Sequence, residues 1–146
     1  MSKIILLLLS FILIFTNAKA DKDYFLMLKN KKVNVRYGPS FEYPIKYIYK
    51  KKFFPLKIID KKENFRRVID YKKNSGWVHI SQLKKNSSLI LLEEKFLFGK
   101  PSKFSKPLAK LEFGRLTFVK KCKGTWCKVK TGEFVGWVQK NNVWGY

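Results

Sequence analysis

The tripeptide Gly76-Trp77-Val78 returns 60 residues later as Gly136-Trp137-Val138. Three more pairs of similar segments keep nearly the same offset: residues 56–59 and 116–119, 65–68 and 126–129, and 38–40 and 99–102. A repeat of this length indicates two small autonomous domains rather than the units of a solenoid. We therefore predict two tandem modules, joined by the polar stretch at residues 84–87.

Each module shows the pattern of short β-strands. Apolar residues alternate with polar ones at Val33 and Val35 and again at Leu56 and Ile58, which is the period of a half-buried strand. Glycine-containing turns separate these runs, and no window after residue 20 carries a helical apolar stripe. About five short strands in ~60 residues predict an all-β chain of two small barrels, because closure removes the exposed sheet edges.

The first residues predict export. Lys3 supplies a charged start, residues 4–15 are apolar, and Ala18-Lys19-Ala20 has the small-x-small pattern of a cleavage site. The apolar run is shorter than the ~20 residues that a bilayer-spanning helix needs. We predict a cleaved signal peptide at residues 1–20 and a periplasmic or secreted protein.

The mature chain is then divided into a first module at residues 21–84 and a second at residues 88–146, with no transmembrane segment. Of the 32 Lys and Arg residues, Lys3 and Lys19 belong to the signal peptide, which leaves 30 against 10 Asp and Glu and a net charge of +20. Such a charge attracts anionic ligands. It is also what the lysine-rich composition of an AT-rich genome would produce, and both interpretations stay open.

The two cysteines, Cys122 and Cys127, are expected to form a disulfide, because an exported chain leaves the reducing cytoplasm. They flank Lys123-Gly124, which is suited to a hairpin turn. If they face each other as a non-hydrogen-bonded pair, their Cα atoms would lie about 4.5–5.5 Å apart, within bridging range. A zinc site needs four ligands, and the chain offers these cysteines and a single histidine, so no metal is expected.

The first module resembles the bacterial SH3-like domains. The family pattern opens with Asn-Val-Arg-x-Gly-Pro-Ser, continues with Tyr-Pro-Ile and a Pro-hydrophobic strand, and closes with Gly-Trp-Val. This chain has these motifs at residues 33–40, 43–45, 55–58 and 76–79. The second module is more divergent, since Phe96-Leu97-Phe98 replaces Asn-Val-Arg. The resemblance implies two tandem SH3-like barrels that bind a cell-wall polymer such as peptidoglycan, or an envelope protein.

It also implies where a ligand binds. Arg36, Tyr37, Tyr43 and His79 fall in or beside the segments that form the ligand groove of SH3-like domains, so they are the candidate ligand-binding residues. Aromatic faces stack on sugars or peptides, and an arginine pairs with a carboxylate.

The remaining aromatic residues are assigned to packing. Trp77 and Trp137 are expected in the two barrel cores, because a closing strand buries every second side chain. Phe65 and Trp126 are expected in the same two cores. Trp144 and Tyr146, at the end of the chain, are expected to seal the contact between the modules.

Catalysis is not expected. The chain has one histidine and lacks a nucleophile elbow, an H-E-x-x-H motif and a phosphate-binding glycine loop. Asp60, Glu63 and Asp70 are more simply read as partners of neighbouring lysines. We therefore predict a non-catalytic envelope binding protein without a cofactor and with no physiological nucleic-acid partner. Two alternatives stay open, which are an adaptor that docks an envelope protein and a nonspecific polyanion binder.

Overall fold

The computed structural model describes residues 24–146, so the predicted signal peptide at residues 1–20 lies outside the described residues. The first half of the described chain contains β1 (Tyr24–Leu28), β2 (Val33–Arg36), β3 (Ile45–Tyr49), β4 (Pro55–Lys62), β5 (Phe65–Ile69), β6 (Ser75–His79), a 3-10 turn (Ile80–Gln82) and β7 (Leu83–Lys85). The second half contains β8 (Ser88–Leu91), β9 (Lys95–Phe98), β10 (Pro107–Leu111), β11 (Leu116–Lys123), β12 (Trp126–Thr131), β13 (Phe134–Gln139) and β14 (Val143–Trp144). Within residues 24–146, no helix is long and apolar enough to cross a bilayer.

The two halves have the same topology. The first sheet has the strand order β3-β2-β6-β5-β4-β1-β7, and the second has β10-β9-β13-β12-β11-β8-β14. Adding seven to each strand number of the first sheet gives the second sheet, and all the strand pairs are antiparallel. The predicted all-β fold of two tandem modules is therefore confirmed.

Each module has its own apolar core. The alternation of Val33 and Val35 on β2 turns both side chains inward, and Leu56 and Ile58 on β4 meet them there. The first core consists of Leu28, Val33, Val35, Leu56, Ile58, Val68, Val78 and Leu83. The second consists of Leu89, Leu91, Leu97, Leu111, Cys127, Val129 and Val138. Each core is enclosed by the strands of its own sheet.

The expectation that Trp77 fills the first core is wrong, whereas Trp137 is buried as expected. Val78 and Val138 are the fully buried core residues of these strands, and successive side chains of a strand point to opposite faces. Trp77 therefore lies half-buried on the outer face. Trp137 is only 8% exposed, but it lies outside the core cluster and has the Lys121 ammonium 5.8 Å from its ring centre.

Phe65 is buried as expected, whereas Trp126 is not. Phe65 does not belong to the first core cluster, because its ring packs against Phe41 and His79 on the outer face of the first sheet. Trp126 is half-buried and packs edge-on against Phe98. Both residues stand one position before an inward-facing position of their strand, which gives them the outward orientation.

The predicted disulfide joins β11 to β12. Lys123 and Trp126 flank the two-residue turn Gly124-Thr125, and Cys122 and Cys127 form the next pair of the ladder. Because hydrogen-bonded and non-hydrogen-bonded pairs alternate, the cysteines form a non-hydrogen-bonded pair. Their Cα atoms are 4.0 Å apart, which is closer than expected, and the sulfurs are bonded.

The first module has no counterpart of this bond. Lys61 and Arg66 form its corresponding pair, next to the turn-flanking pair Lys62 and Phe65. Arg66 instead donates from Nη1 to the carbonyl oxygen of Glu63 in the turn, at 2.9 Å. A side chain-to-turn hydrogen bond therefore occupies the place of the covalent link.

Reduction of the disulfide is expected to lower the free energy of unfolding by about 2 kcal/mol, because closing so short a loop removes little entropy from the unfolded chain. Urea denaturation with and without a phosphine reductant measures the difference. The double variant Cys122→Ala, Cys127→Ala is the control, since its stability should not respond to the reductant. Loss of the β-sheet circular dichroism on reduction would show that the bond holds the fold together and would contradict this expectation.

The last strand of the second module contacts the first module. The indole N–H of Trp144 donates to the carbonyl oxygen of Pro55 at 3.0 Å, and the ring packs edge-on against Phe25 with centroids 5.2 Å apart. Gly145 follows at φ +117°, where a Cβ atom would meet the carbonyl oxygen of Ser88 at 2.5 Å. The predicted contact of Trp144 is thus present, whereas Tyr146 is 62% exposed and stacks with Lys140 of its own module.

A second contact between the modules centres on Phe53. Its φ is +64°, a region that bulky residues rarely adopt. Its N–H donates to the carbonyl oxygen of Leu28, its carbonyl accepts the Ser88 hydroxyl at 2.7 Å, and its ring meets Phe118 at 5.4 Å. Contacts from both modules therefore hold this backbone in place.

Trp144→Ala is expected to lower the free energy of unfolding by about 2–4 kcal/mol, because it removes a half-buried ring and leaves a carbonyl without its donor. It should also separate the unfolding of the two modules into distinct calorimetric transitions. Tyr146→Ala, a change to an exposed ring two residues away, is the control and should leave the thermogram unchanged. Equal effects of the two variants would mean that Trp144 does not couple the modules.

A buried lysine forms an ion pair at the start of β9. Lys95 is 8% exposed, and its ammonium lies 2.7 Å from Glu93 and 3.3 Å from the Asn141 side-chain oxygen. The second carboxylate oxygen of Glu93 accepts a hydrogen bond from Asn142. The hydrogen bond from Lys95, and then that from Asn142, lowers the pKa of the Glu93 carboxyl.

Glu93→Gln is expected to destabilise the protein clearly at neutral pH, because it leaves the charge of Lys95 buried without its partner. The matched control is Glu94→Gln, which breaks an exposed pair with Lys110 and should have little effect. A carboxyl whose pKa is lowered on folding stabilises the protein above its ordinary pKa. The difference between wild type and Glu93→Gln should therefore vanish as the pH falls through the acid range, which thermal melts at pH 7 and at successively lower pH would measure. A constant difference would contradict the assignment.

Candidate functional site

The candidate site lies on the outer face of the first sheet. Phe65 on β5 is directly opposite His79 on β6, and Arg36 on β2 pairs with the same strand two residues away. The loop at residues 37–44, between β2 and β3, folds over this face and carries Phe41 onto it. Three strands and one loop thus bring together residues that are distant in the sequence.

Three aromatic rings form a cluster at the centre of the site. The Phe41 ring lies 5.2 Å from Phe65 and 5.0 Å from His79, and Phe65 and His79 are 5.2 Å apart. Phe65 is buried, whereas Phe41 is 64% exposed. The cluster therefore anchors the loop through Phe65 and leaves much of the Phe41 side chain exposed to the solvent.

Arg36 stabilises the conformation of the loop through hydrogen bonds. Its Nη1 donates to the carbonyl oxygens of Phe41 at 3.2 Å and Tyr43 at 2.8 Å, and its guanidinium carbon lies 5.4 Å from the centre of the Phe41 ring. Nε and Nη2 make no hydrogen bond to the part of the chain that the structure describes. Arg36 can thus hold the loop and still present its charged fork to a ligand.

His79 has a defined proton position. The backbone N–H of Ser81 donates to its Nδ1 at 3.3 Å, and the Ser81 hydroxyl lies 2.8 Å from the same atom. A backbone N–H can only donate, so Nδ1 is an acceptor and the neutral ring carries its proton on Nε2. Nε2–H is therefore the donor that His79 offers.

These residues line a groove of about 550 Å³. Its walls are formed by Lys32, Asn34, Arg36, Phe41, Ile45, Ile48, Phe65, His79, Ser81 and Gln82. Lys32 and Arg36 bring positive charge, and no Asp or Glu is among the lining residues. The groove combines cationic and amide donors with apolar surface, which suits an anionic ligand that also has apolar or ring faces.

The four predicted ligand-binding residues are placed in two groups. Arg36 and His79 line the groove, whereas Tyr37 and Tyr43 lie on the loop outside it. Tyr43 packs against Gly38, where an added Cβ atom would lie 2.4 Å from the Tyr43 ring. Tyr37 is exposed, and the Lys46 ammonium is 5.6 Å from its ring centre.

Sequence reasoning missed Phe41 and Phe65. The sequence does contain a signal for Phe65. Side chains alternate along the closing strand, so His79 faces outward if Gly76 and Val78 face inward. Phe65 then follows as the cross-strand partner of His79. Phe41 had no such signal, because the conformation of its loop depends on the hydrogen bonds from Arg36.

Asp70, one of the acidic residues of the first module, takes part in a network of hydrogen bonds. Asp70 is buried, and its carboxylate accepts hydrogen bonds from the Tyr49 hydroxyl, the Lys72 N–H and both the backbone and the side chain of Asn74. Burial raises the pKa of Tyr49 well above its ordinary value. Asp70 therefore stabilises the turn before β6. Within residues 24–146, no three His, Cys, Asp or Glu side chains are grouped so that they could hold a metal ion.

The second module has different residues at the same place. Phe98 pairs with Trp137 as Arg36 pairs with Trp77, and Trp126 faces Gln139 as Phe65 faces His79. Gln139 lines two cavities there, one of about 250 Å³ with Glu93 and Glu94 among its lining residues and one of about 560 Å³ whose lining has no aromatic ring. A groove that combines cationic and aromatic side chains without a carboxylate thus belongs to the first module.

Comparison with known proteins agrees with the fold. Residues 29–85 and 93–145 both match the model of the bacterial SH3 domain family. No curated protein sequence matches the chain. Among solved structures, NlpC2 from Trichomonas vaginalis aligns with a TM-score of 0.38 at 10% identity, over 84% of this chain and 48% of that one. NlpC1 from the same organism aligns with a TM-score of 0.38 at 10% identity, over 83% and 45%. The chain spans about half the length of either protein.

The two matched segments together cover most of the chain, and each corresponds to one of the two sheets of identical strand order. The family motifs fall on β2, on the start of β3 and β4, and on the closing strand β6. The chain therefore belongs to the bacterial SH3 domain family, of which it carries two domains in tandem.

Proposed function

We propose that this protein is an exported, non-catalytic binding protein that recognises a cell-wall component through the groove of its first domain. The observation that carries the proposal is the chemistry of that groove. It presents Arg36, Lys32 and the Nε2–H of His79 as donors beside the exposed ring of Phe41. The ligand that we propose is peptidoglycan, whose peptides carry carboxylates and whose glycan carries sugar rings.

The positively charged residues of the groove can bind a carboxylate of the proposed ligand. An arginine fork forms two parallel hydrogen bonds with a carboxylate, which is stronger and more directional than a single ammonium contact. Arg36 is fixed by its two bonds to the loop, so little side-chain entropy is lost when a ligand binds. The absence of Asp and Glu from the groove lining leaves this attraction without competition.

The aromatic cluster can make a second contact with the proposed ligand. Phe41 is held by Phe65 and His79 and remains 64% exposed, so a sugar ring or an apolar peptide side chain can pack against it. The Asn34 and Gln82 amides line the same groove and can bond hydroxyl or peptide groups. The groove thus offers the mixed apolar and polar contacts that a wall fragment requires.

The disulfide supports the proposed compartment. Structural disulfides persist in oxidising environments such as the periplasm and the cell exterior. Cys122 and Cys127 are paired within one hairpin. This bond and the signal sequence predicted at residues 1–20 both support the proposal of a periplasmic or secreted location.

We infer that binding is not followed by catalysis. His79 is the titratable ring of the groove, and its Nδ1 is bonded to the neutral Ser81 rather than to a carboxylate that would orient it as a base. The groove lining also contains no carboxylate that could act as an acid. Its residues fit recognition of a ligand without bond cleavage.

Two variants test the groove in the chain that begins at Asp21. Phe41→Ala removes the stacking face and should weaken binding to purified peptidoglycan about fivefold to tenfold. Arg36→Lys keeps the charge but removes the fork, and it should weaken binding by about tenfold. Co-sedimentation with purified peptidoglycan measures both, and circular dichroism checks the fold.

Phe134→Ala, which truncates a 49% exposed ring in the second module, is the matched control and should bind as the wild type does. If neither groove variant loses binding while the wild type binds, the site lies elsewhere. If the wild type does not sediment with peptidoglycan at low and moderate salt, the ligand is a different one.

The salt dependence separates the other classes of partner. Nonspecific polyanion binding, which the net charge of +20 and the opposed Lys121 and Lys128 would favour, falls steeply with salt because it releases counterions. Groove recognition should survive moderate salt. A stoichiometric protein crosslinked in cells, without affinity for the polymer, would instead indicate an adaptor.

A further inference from the structure

The loop at residues 99–106, between β9 and β10, exposes an aromatic ring completely. Phe104 is 100% exposed, although a phenylalanine ordinarily buries most of its surface. Leu108 and Phe96 are also exposed on the adjoining strands, and Leu108 lies at the base of the loop, 3.9 Å from where a Cβ atom on Gly99 would be. An apolar tip and an apolar base thus occur at one edge of the second sheet.

Hydrogen bonds within the loop fix this tip. The hydroxyl of Ser105 donates to the carbonyl oxygens of Lys100 and Ser102, and the N–H of Phe104 donates to the Ser102 hydroxyl at 3.2 Å. The N–H of Gly99 closes the base on the carbonyl oxygen of Lys106. The ring is therefore presented by an ordered turn, and little chain entropy is lost when a partner covers it.

The loop is also strongly cationic. Lys100, Lys103 and Lys106 lie within seven residues, and no Asp or Glu occurs between residues 95 and 111. The nearest acidic side chains in the sequence before it, Glu93 and Glu94, are already paired with Lys95 and Lys110. The unpaired charge around Phe104 is thus positive.

The first domain supplies an internal comparison. Its β2–β3 loop has the same hydrogen bonds, from the Ser40 N–H to Gly38, from Tyr43 to Ser40 and from Glu42 to the Ser40 hydroxyl. By this correspondence Glu42 stands at the position of Phe104. The single aromatic ring at the tip, Phe41, turns back onto the sheet there, whereas in the second domain the ring faces solvent.

We propose that this loop binds the surface of an anionic lipid bilayer, with Phe104 entering the headgroup region and the three lysines contacting lipid phosphates. A single, fully exposed ring at a loop tip fits a fluid apolar layer better than a shaped protein pocket. Binding at an interface grows with the apolar area buried and with attraction to anionic lipids. Each lysine near such a surface strengthens binding by about fivefold.

The test uses the chain that begins at Asp21, because the apolar run at residues 4–15 would itself bind lipid. Both sheets lie wholly within residues 24–146, so this chain contains the whole described fold. Co-sedimentation is measured with vesicles of phosphatidylglycerol and phosphatidylcholine, and with vesicles of phosphatidylcholine alone. We expect binding to the mixed vesicles and much weaker binding to the neutral ones.

Phe104→Ser should weaken binding to the mixed vesicles about fivefold or more, and Lys103→Ser by about fivefold. Phe134→Ser, another exposed phenylalanine of the same domain, is the control and should bind as the wild type does. In Phe104→Trp, brominated lipid should quench an additional part of the tryptophan emission. Equal binding by Phe104→Ser and wild type, equal losses in Phe104→Ser and Phe134→Ser, or no preference for anionic vesicles would each overturn the proposal.

This surface is separate from the groove of the first domain. Phe104→Ser should therefore bind peptidoglycan as the wild type does, and Arg36→Lys should bind vesicles as the wild type does. Joint loss of both activities in Phe104→Ser would show that the loop belongs to the wall-binding site and would overturn the assignment to lipid.

Discussion

The close approach of the closing strand to β2 is the constraint on which the site depends. A Cβ atom on Gly76 would lie 2.4 Å from the Val35 side chain, and one on Gly136 would lie 2.7 Å from the Phe98 carbonyl oxygen. Only glycine allows the strands to pack so closely, and this pairing joins β2 and β3, and likewise β9 and β10, to the rest of their sheets. Because side chains alternate along a strand, an inward glycine also determines that Val78 is buried and that the flanking tryptophan and histidine face outward.

The two domains show that one scaffold can carry two surface chemistries. Strand order and loop hydrogen bonds agree between them, while several residues of the outer face differ. Arg36 and His79 of the first domain correspond to Phe98 and Gln139 of the second. Outer-face residues contribute little to the core, so they can change without loss of the barrel. Because these outer residues can change, one domain can carry the groove while the other carries the apolar loop.

The contact between the domains uses backbone carbonyls as acceptors. The indole of Trp144 bonds to Pro55, and the hydroxyl of Ser88 bonds to Phe53. A carbonyl that is covered by a neighbouring domain needs a donor, because an unpaired buried acceptor costs free energy. These two donors therefore allow the domains to pack against each other without an unsatisfied polar group at either position.

The sequence alone determined the all-β fold, the tandem repeat and the cysteine pairing, because strand alternation, turn glycines and a hairpin spacing are local signals. It also identified Arg36 and His79 as site candidates through the family motifs. It could not determine which residues of the closing strand face the core. An alternating pattern is compatible with either set of alternate residues facing inward, until contact with a neighbouring strand excludes one of the two. Only the packing of Gly76 on Val35 decided between these two sets. The cross-strand meeting of Phe65 and His79, and the loop that Arg36 holds over them, depend on contacts between residues far apart in the chain, and only the tertiary structure determines those.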